Sequence, residues 1–353
     1  MHPPAGSAQP NPDRVMPLRV LIVRPSALGD VCRSVPLLAS LRAAYPDAQI
    51  DWLVQDSFRD AVEFHPALNR VVPFERRRLG RSAGRGNLLP SLAFLRTLRR
   101  SGYDLVIDAQ GLFRSGLFAR ATGARIRVGY HNAEARAAVI YNCYAEAPRE
   151  HHAADRMLAL LGPLKVEPID DLRLYTPPRE AERLEADAEV KGLSTYAVIA
   201  PTSRWASKRW PPDRFAVLCE RLLSHIAGIV LVGGPGEQAQ IQPLLELAAR
   251  EPRVLDRVGK TSVGGLMALI ERAQLVVAND SAALHMAVGF DRPAVALFGP
   301  TRVELVGPRG RERDVTQHVE PGDTFDHKDD RSAVIMDRIP IDEVLAACIE
   351  RLP

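Results

Sequence analysis

Long apolar runs are missing from this 353-residue chain. The best of them, such as "YAVIA" and "AQLVVA", are strand-sized and far short of the ~20 residues a membrane-spanning helix needs. The opening "MHPPAGSAQPNPDRV" is proline-rich and polar, without the apolar centre of a signal peptide. It reads as a disordered tail over residues 1–17, with Met16 as an alternative start. Cysteine is scarce: Cys32, Cys143, Cys219 and Cys348 are widely spaced and form no C-x-x-C pair. That pattern argues against a zinc site and a disulfide framework and fits a reduced cytoplasm. Cys32, next to a Gly-Asp turn, reads as small-residue filler. Two nucleotide signatures are also missing. There is no G-x-G-x-x-G in the first half and no G-x-x-x-x-G-K-[ST] anywhere, which weakens redox and kinase readings.

What is present is ordinary globular composition, 46% hydrophobic and 25% charged, enough for one oversized domain or, better, two. The charge is unevenly placed. Residues 1–175 carry a net +7 and the remainder −4, for a total of +3. Between residues 70 and 100, nine arginines face one acid, Glu75. The chain has only five lysines, so an arginine-rich genome explains the residue choice but not the local cluster. A basic patch on one half points to an anionic partner there. A nucleic acid is a poor fit, because only Phe74 and Phe94 interleave with the arginines.

Short β-rich runs alternate with helical patterns throughout. Strands are expected at 18–24, 49–54, 70–73, 103–108 and 126–129. Five more are expected in "TYAVIAP", "GIVLVGG", "RVLD", "QLVVAND" and "PAVALFGP". The runs are near-continuously apolar rather than alternating, as when helices cover both faces of a sheet. The expected fold class is α/β, two doubly wound parallel-sheet domains in series. The seam is expected in "PLKVEPIDDLRLYTPP", residues 163–178, giving domains at 18–170 and 171–335. A C-terminal helix within 336–353 is expected to pack across that seam. Ligands of such sheets bind beyond the carboxyl ends of the strands, so two facing sheets make a cleft with a different ligand on each wall.

In the second half, three strand-end turns suit a nucleotide diphosphate. "APTSRWASKRWPPDRF" offers Thr202, Ser203 and Lys208. "LVGGPGEQ" is glycine-rich, with Glu237 expected just inside the following helix. "VVANDSAALHMAV" ends a strand at Asn279 and Asp280 and starts a helix with Ser281. A helix N-terminus with a hydroxyl holds phosphate oxygens, and Lys208 adds a full positive charge. Taken singly, Asp280 or Ser281 reads as a helix cap and His285 as a core histidine. Together, three such turns in one half are harder to dismiss. In the first half, "RPSALGDVCRS" raises the opposite problem, because its strand-to-helix turn carries a carboxylate, Asp30, where an anion would sit.

The motifs "VLIVRPSALGDVCRSVPLLASLRAAYPDAQIDWLV", "YDLVIDAQGLFRSGL", "PTSRWASKRWP", "LVGGPGE" and "VVANDSAALHMAVGFDRPAVALFGPT" resemble, in order, the glycosyltransferase family 9 heptosyltransferases. "DAQGLFRSGL" and "EARAAVIYN" are more similar to the enzyme that adds the first heptose to Kdo. The resemblance implies a GT-B fold of two Rossmann-like domains facing across a cleft. It also implies inverting transfer of heptose from ADP-heptose to the Kdo and inner-core region of lipopolysaccharide. Asp30 then becomes the general base on the acceptor hydroxyl, and Lys208 with helix N–H groups stabilises the departing ADP without a metal or other cofactor. Donor contacts are implied at Thr202, Ser203, Glu237, Asp280, Ser281, Ala282 and His285. Acceptor contacts are implied at Ser26, Gly29, Arg76, Arg77, Arg114 and Arg136. The expected partners are the nucleotide-sugar donor and an anionic glycolipid acceptor of Kdo-lipid A type. The expected location is the cytoplasm, in peripheral contact with the inner membrane. The family usually has Asp-Thr-Gly where this chain has Asp280-Ser281-Ala282; serine keeps the hydroxyl, and alanine is tolerable only where φ is negative or the phosphate leaves room for a methyl group. Rival readings are a sugar-nucleotide epimerase of the same fold and a non-catalytic nucleotide-binding protein. Within "RRLGRSAGRGN", four arginines and three glycines suggest a segment mobile before an acceptor arrives.

Overall fold

The computed structural model describes residues 18–352, except the side chains of Ala135 and Arg136. The expected tail and the alternative start at Met16 lie outside the described residues. The chain divides after Leu172 into two compact units.

The first unit is a six-stranded parallel sheet in the order β3-β2-β1-β4-β5-β6. Its strands are β1 (Arg19–Val23), β2 (Gln49–Gln55), β3 (Arg70–Phe74), β4 (Leu105–Asp108), β5 (Ile126–Tyr130) and β6 (Cys143–Ala145). The helices used below are α1 (Leu28–Arg33), α2 (Val35–Ala44), α3 (Arg76–Gly84), α4 (Leu89–Arg100) and α5 (Phe113–Thr122). Pro36 and Pro90 lie in the first turns of α2 and α4, where a missing N–H costs nothing. Leu21, Val23, Leu53, Val106 and Phe118 form a core on one side of the sheet. The central strands are buried along nearly their whole length, as their continuous apolar runs require.

The second unit repeats the plan. Its order is β12-β11-β10-β7-β8-β9, from β7 (Tyr196–Ala200), β8 (Gly228–Leu231), β9 (Val254–Asp256), β10 (Leu275–Asn279), β11 (Ala294–Leu297) and β12 (Val315–Thr316). Counted from its own first strand, this is the same 3-2-1-4-5-6 order as the first unit. In each parallel sheet the strand order therefore reverses between the first and fourth strands, β1/β4 and β7/β10, which is where ligands of such folds bind. The C-terminal helix Ile341–Arg351 buries Val344, Leu345 and Cys348 in the second unit's core, against Leu218 and Leu297 among others.

Three local readings differ from the sequence expectation. The basic stretch after β3 is helical, α3, anchored by the buried Leu79 alone. Glu237 lies ahead of a short 3-10 turn, Gln238–Gln240, and the next α-helix begins at Gln242. The edge strands β6 and β12 were not expected at all. The four cysteines are all buried free thiols, and burial pushes the Cys32 thiol up to about 12, consistent with a packing role.

Candidate active site

The switch point of the first unit is built from two turns that hold each other. After β1, Arg24 is buried and its guanidinium donates to the Ala109 carbonyl beyond β4. The Ser26 N–H donates to Gln110 Oε1 at 3.2 Å. The second guanidinium nitrogen of Arg24 meets Asp30 Oδ2 at 2.6 Å, and Arg33 pairs with Asp30 Oδ1 from the other side. Asp30 is the third residue of α1, and its Oδ2 lies 3.4 Å from the Ala27 N–H. A carboxylate in a turn that should favour anions is thus explained by two nearly buried guanidiniums, and its side chain remains 26% exposed. Arg24 Nε is buried and makes no hydrogen bond among the described residues.

The β4 turn is held from beneath. Asp108 is fully buried; it accepts from Tyr141 Oη at 2.7 Å and from the Gln110 and Gly111 N–H groups at 2.9 and 3.2 Å. Burial pushes its carboxyl above the usual range, against these donors and the Ser115 hydroxyl. Burial likewise pushes the Tyr141 phenol up. Two glycines make the arrangement fit. A Cβ on Gly129 would lie 2.3 Å from the Tyr141 ring, so glycine lets that ring cross β5 to reach Asp108. Gly111 has φ +73, and a Cβ there would come within 2.9 Å of the Tyr130 ring.

Of the other first-unit candidates, Gly29 is the second residue of α1 beside Asp30. Arg76 opens α3, and its charge together with burial lowers the Arg114 guanidinium, burial being the larger cause. Arg114 lies over the Phe74 ring, 5.5 Å from its centre. Arg77 is exposed on α3. Arg136 falls on a short helix, and its side chain lies outside the described residues.

The switch point of the second unit carries Lys208 and Asp280, paired at 2.6 Å and largely buried. Asn279 ties the two turns, donating to the Pro201 carbonyl at 2.7 Å and accepting from the Trp210 N–H at 3.2 Å. Ser281 is the N-cap of the helix Ala282–Gly289; its hydroxyl is buried and has no hydrogen-bond partner among the described residues. Ala282 opens that helix and is not among the described residues with positive φ, so the methyl group is accommodated. His285 is buried one turn further on. Thr202 and Ser203 are buried just after β7, the former against Gly233 in the glycine turn. Glu237 folds back to accept the Gly234 N–H at 2.6 Å.

The sequence reading missed Arg24, Arg33, Asp108 with Tyr141, and His327. His327 sits beside Lys208: its ring packs edge-on against Trp205, with centroids 5.2 Å apart, and its carbonyl accepts from Ser207 Oγ at 2.7 Å. Burial and, next, the Lys208 charge hold its imidazole below the usual range. An Arg-x₅-Asp-x₂-Arg spacing in the first turn was available as a signal. His327 stands in a stretch without periodicity and had none.

Comparison with known proteins matches residues 91–333 to glycosyltransferase family 9 (heptosyltransferase). Lipopolysaccharide heptosyltransferase 1 of Pseudomonas aeruginosa is 31% identical over 306 residues, 84% of this chain and 82% of the relative. An Escherichia coli heptosyltransferase solved with ADP-2-deoxy-2-fluoro heptose superposes with a TM-score of 0.69 at 26% identity, covering 90% of this chain and 98% of that one. Heptosyltransferase II of E. coli shares the fold, with a TM-score of 0.76 at 21% identity over 94% and 98% of the two chains.

Proposed function

The chain belongs to glycosyltransferase family 9, with a GT-B fold of two Rossmann-like units, and from that premise we propose that it transfers heptose from ADP-heptose to the Kdo region of the lipopolysaccharide inner core, with inversion. The second unit takes the donor and the first the acceptor. The observation that carries this division is the contrast between the two switch points. One sets a lysine, an unpartnered hydroxyl and an eight-residue helix N-terminus together; the other presents a carboxylate held by arginines.

A diphosphate at the second unit meets Lys208 and the first-turn N–H groups of the helix Ala282–Gly289, which are aimed outward by helix geometry. The Ser281 hydroxyl acquires a phosphate oxygen as partner, and Lys208 keeps two of its three protons for the same anion while Asp280 holds the third. His327 adds a further donor beside them. These groups stabilise the charge on the departing ADP, and the reaction proceeds without a metal. Asp30 removes the proton from the attacking hydroxyl. The hydroxyl proton need only move late, as C1 becomes oxocarbenium-like. Arg76, Arg77 and Arg114 bind the acceptor's carboxylates and phosphates in pairs and never lose charge.

The test is incubation with ADP-heptose and a panel of Kdo-bearing acceptors, with mass spectrometry of the products, and with EDTA present and absent. A heptose added to a Kdo acceptor and undiminished by EDTA supports the reading. No transfer, or strict dependence on a divalent ion, overturns it. Lys208→Ala should weaken ADP binding about tenfold or more, because it removes the full charge at the diphosphate.

A further inference from the structure

Six of the fifteen exposed large apolar side chains among the described residues lie on the starts of two neighbouring helices. Leu88, Leu89 and Leu92 open α4, with 57%, 68% and 44% of their surfaces exposed. Leu112, Phe113 and Leu117 open α5. The helices pack on each other through Phe94 and Phe118, whose rings meet edge-on at 5.5 Å. α5 follows β4 and α4 leads back into it, so both helices begin at the carboxyl end of the sheet, the end that carries Arg24 and Asp30.

A rim of charge adjoins these leucines. Arg77, Arg81 and Arg85 recur every fourth residue along α3 and its C-cap, all exposed. The one acid of the stretch, Glu75, is engaged by Arg78 at 2.9 Å. Leucines that project from a helix start do not bind a sugar phosphate. Arginines that line their edge do not suit an apolar core. The two together suit an anionic bilayer surface, where apolar side chains enter the acyl boundary and guanidiniums meet phosphate headgroups. No helix among the described residues is long and apolar enough to cross a membrane, so such contact would be peripheral.

We propose that the α3–α4 junction, with Arg81, Arg85, Leu88, Leu89 and Leu92, is the face by which this protein docks on an anionic lipid surface. The argument stands on exposure and charge; it rests on the acceptor reading only in that the docked face lies at the acceptor end of the first sheet. Docking there brings a membrane-anchored acceptor to Asp30 without lifting its lipid out of the bilayer.

The test is co-sedimentation of the full chain with phosphatidylglycerol/phosphatidylethanolamine vesicles, and with pure phosphatidylcholine vesicles, at low and high salt. The wild type should sediment with the anionic vesicles only and be released by salt. Arg81→Gln with Arg85→Gln, and separately Leu88→Gln, Leu89→Gln with Leu92→Gln, should each cut partitioning about tenfold or more. These positions are exposed, so unchanged thermal midpoints are expected, and turnover on a lipid-free Kdo acceptor should stay at the wild-type level. Equal binding to neutral vesicles, or retained binding by both variants, overturns the proposal. A dimer of the wild type dissolved by the leucine substitutions also overturns it, since the face would then pair with a second copy. Vesicle binding without any heptose transfer would leave this inference standing and sink the proposed reaction instead.

Discussion

Asp30→Asn separates chemistry from scaffolding, because the same carboxylate is asked to do both. The substitution keeps the side chain's size and one acceptor oxygen but removes the charge shared by Arg24 and Arg33, whose side chains are each 11% exposed. Hydrogen bonds to charged partners contribute about 1.5–3 kcal/mol each. Here both bonds are weakened and neither is lost outright, and water reaches a quarter of the carboxylate, so a net cost of about 2 kcal/mol is expected. For a unit of this size that lowers the unfolding midpoint by about 4–8 °C. The catalytic loss should be larger: removing a general base lowers turnover by about 10²–10⁴-fold, or about 3–5.5 kcal/mol of barrier. Initial rates of ADP release at saturating substrates, well below the melting range, would measure it, with ADP affinity by calorimetry as the control.

The informative partner is Arg24→Met. It breaks one of the same ion pairs and unties the β4 turn from Ala109, so its stability loss should match or exceed that of Asp30→Asn. It leaves the carboxylate in place, however, so turnover should fall by about tenfold at most. Turnover of Asp30→Asn within about threefold of wild type, or equal losses in the two variants, would refute the base assignment.

The geometry has other measurable consequences. Ser281→Ala removes a buried hydroxyl that has no partner among the described residues, so thermal stability should hold or rise by up to about 1 kcal/mol, while ADP affinity falls about tenfold; a stability loss with unchanged affinity would show the hydroxyl to be structural. His327 faces Lys208, Lys328, Asp326 and Asp280 and is held toward its neutral form. A bound diphosphate favours the protonated form, so ADP should bind more tightly as pH falls from about 7.5 to about 6, beyond the change due to ADP's own titration. Titrating His327→Gln in parallel isolates this difference, and identical pH profiles would remove His327 from the donor site. Tyr141→Phe takes a donor from the buried Asp108, whose carboxyl is already raised. Its cost of about 1–3 kcal/mol should be full where Asp108 is ionised in the folded protein and should fade as pH falls through that carboxyl's raised native range, already above the ordinary carboxylate range; thermal melts at alkaline pH and near pH about 4 check the sign.

Much of this molecule was legible because a doubly wound sheet writes itself plainly. Strands buried on both faces are near-continuous apolar runs, and the central strands β1, β4, β7, β8, β10 and β11 have that form. β6 and β12 escaped because they are edge strands of three and two residues, too short for a run to register. α3 escaped because "RRRLGRSAG" has two glycines and one apolar residue, and a single buried leucine gives no period. Asp30, Lys208, Asp280 and Ser281 could be placed together at strand-end turns because ligands of this fold bind beyond the carboxyl ends of its strands. Arg24 could not. Its meaning lies in a carbonyl 85 positions away and in a salt bridge that only the folded turn closes. Gly129 was equally opaque, since nothing in "IRVGY" announces that a tyrosine ring must pass over it.

The two units show how one topology yields opposite chemistry through a different turn after the first strand. After β7 the chain takes eight residues to reach Lys208 before its next long helix begins at Pro212, so the turn is long enough to carry a cation to Asp280 at the end of β10. The N–H groups of the helix after β10 are then left to meet an anion. After β1 the helix begins within five residues, at Leu28, and places Asp30 in its first turn. There the helix N-terminus is already satisfied by its own carboxylate, and no free anion is needed. The arginines on either side anchor that carboxylate while leaving it partly open, so a short turn that could have bound phosphate instead holds a fixed negative charge. That exchange, a bound anion for a built-in one, is the difference on which the proposed division rests, a leaving-group site in one unit and a base in the other.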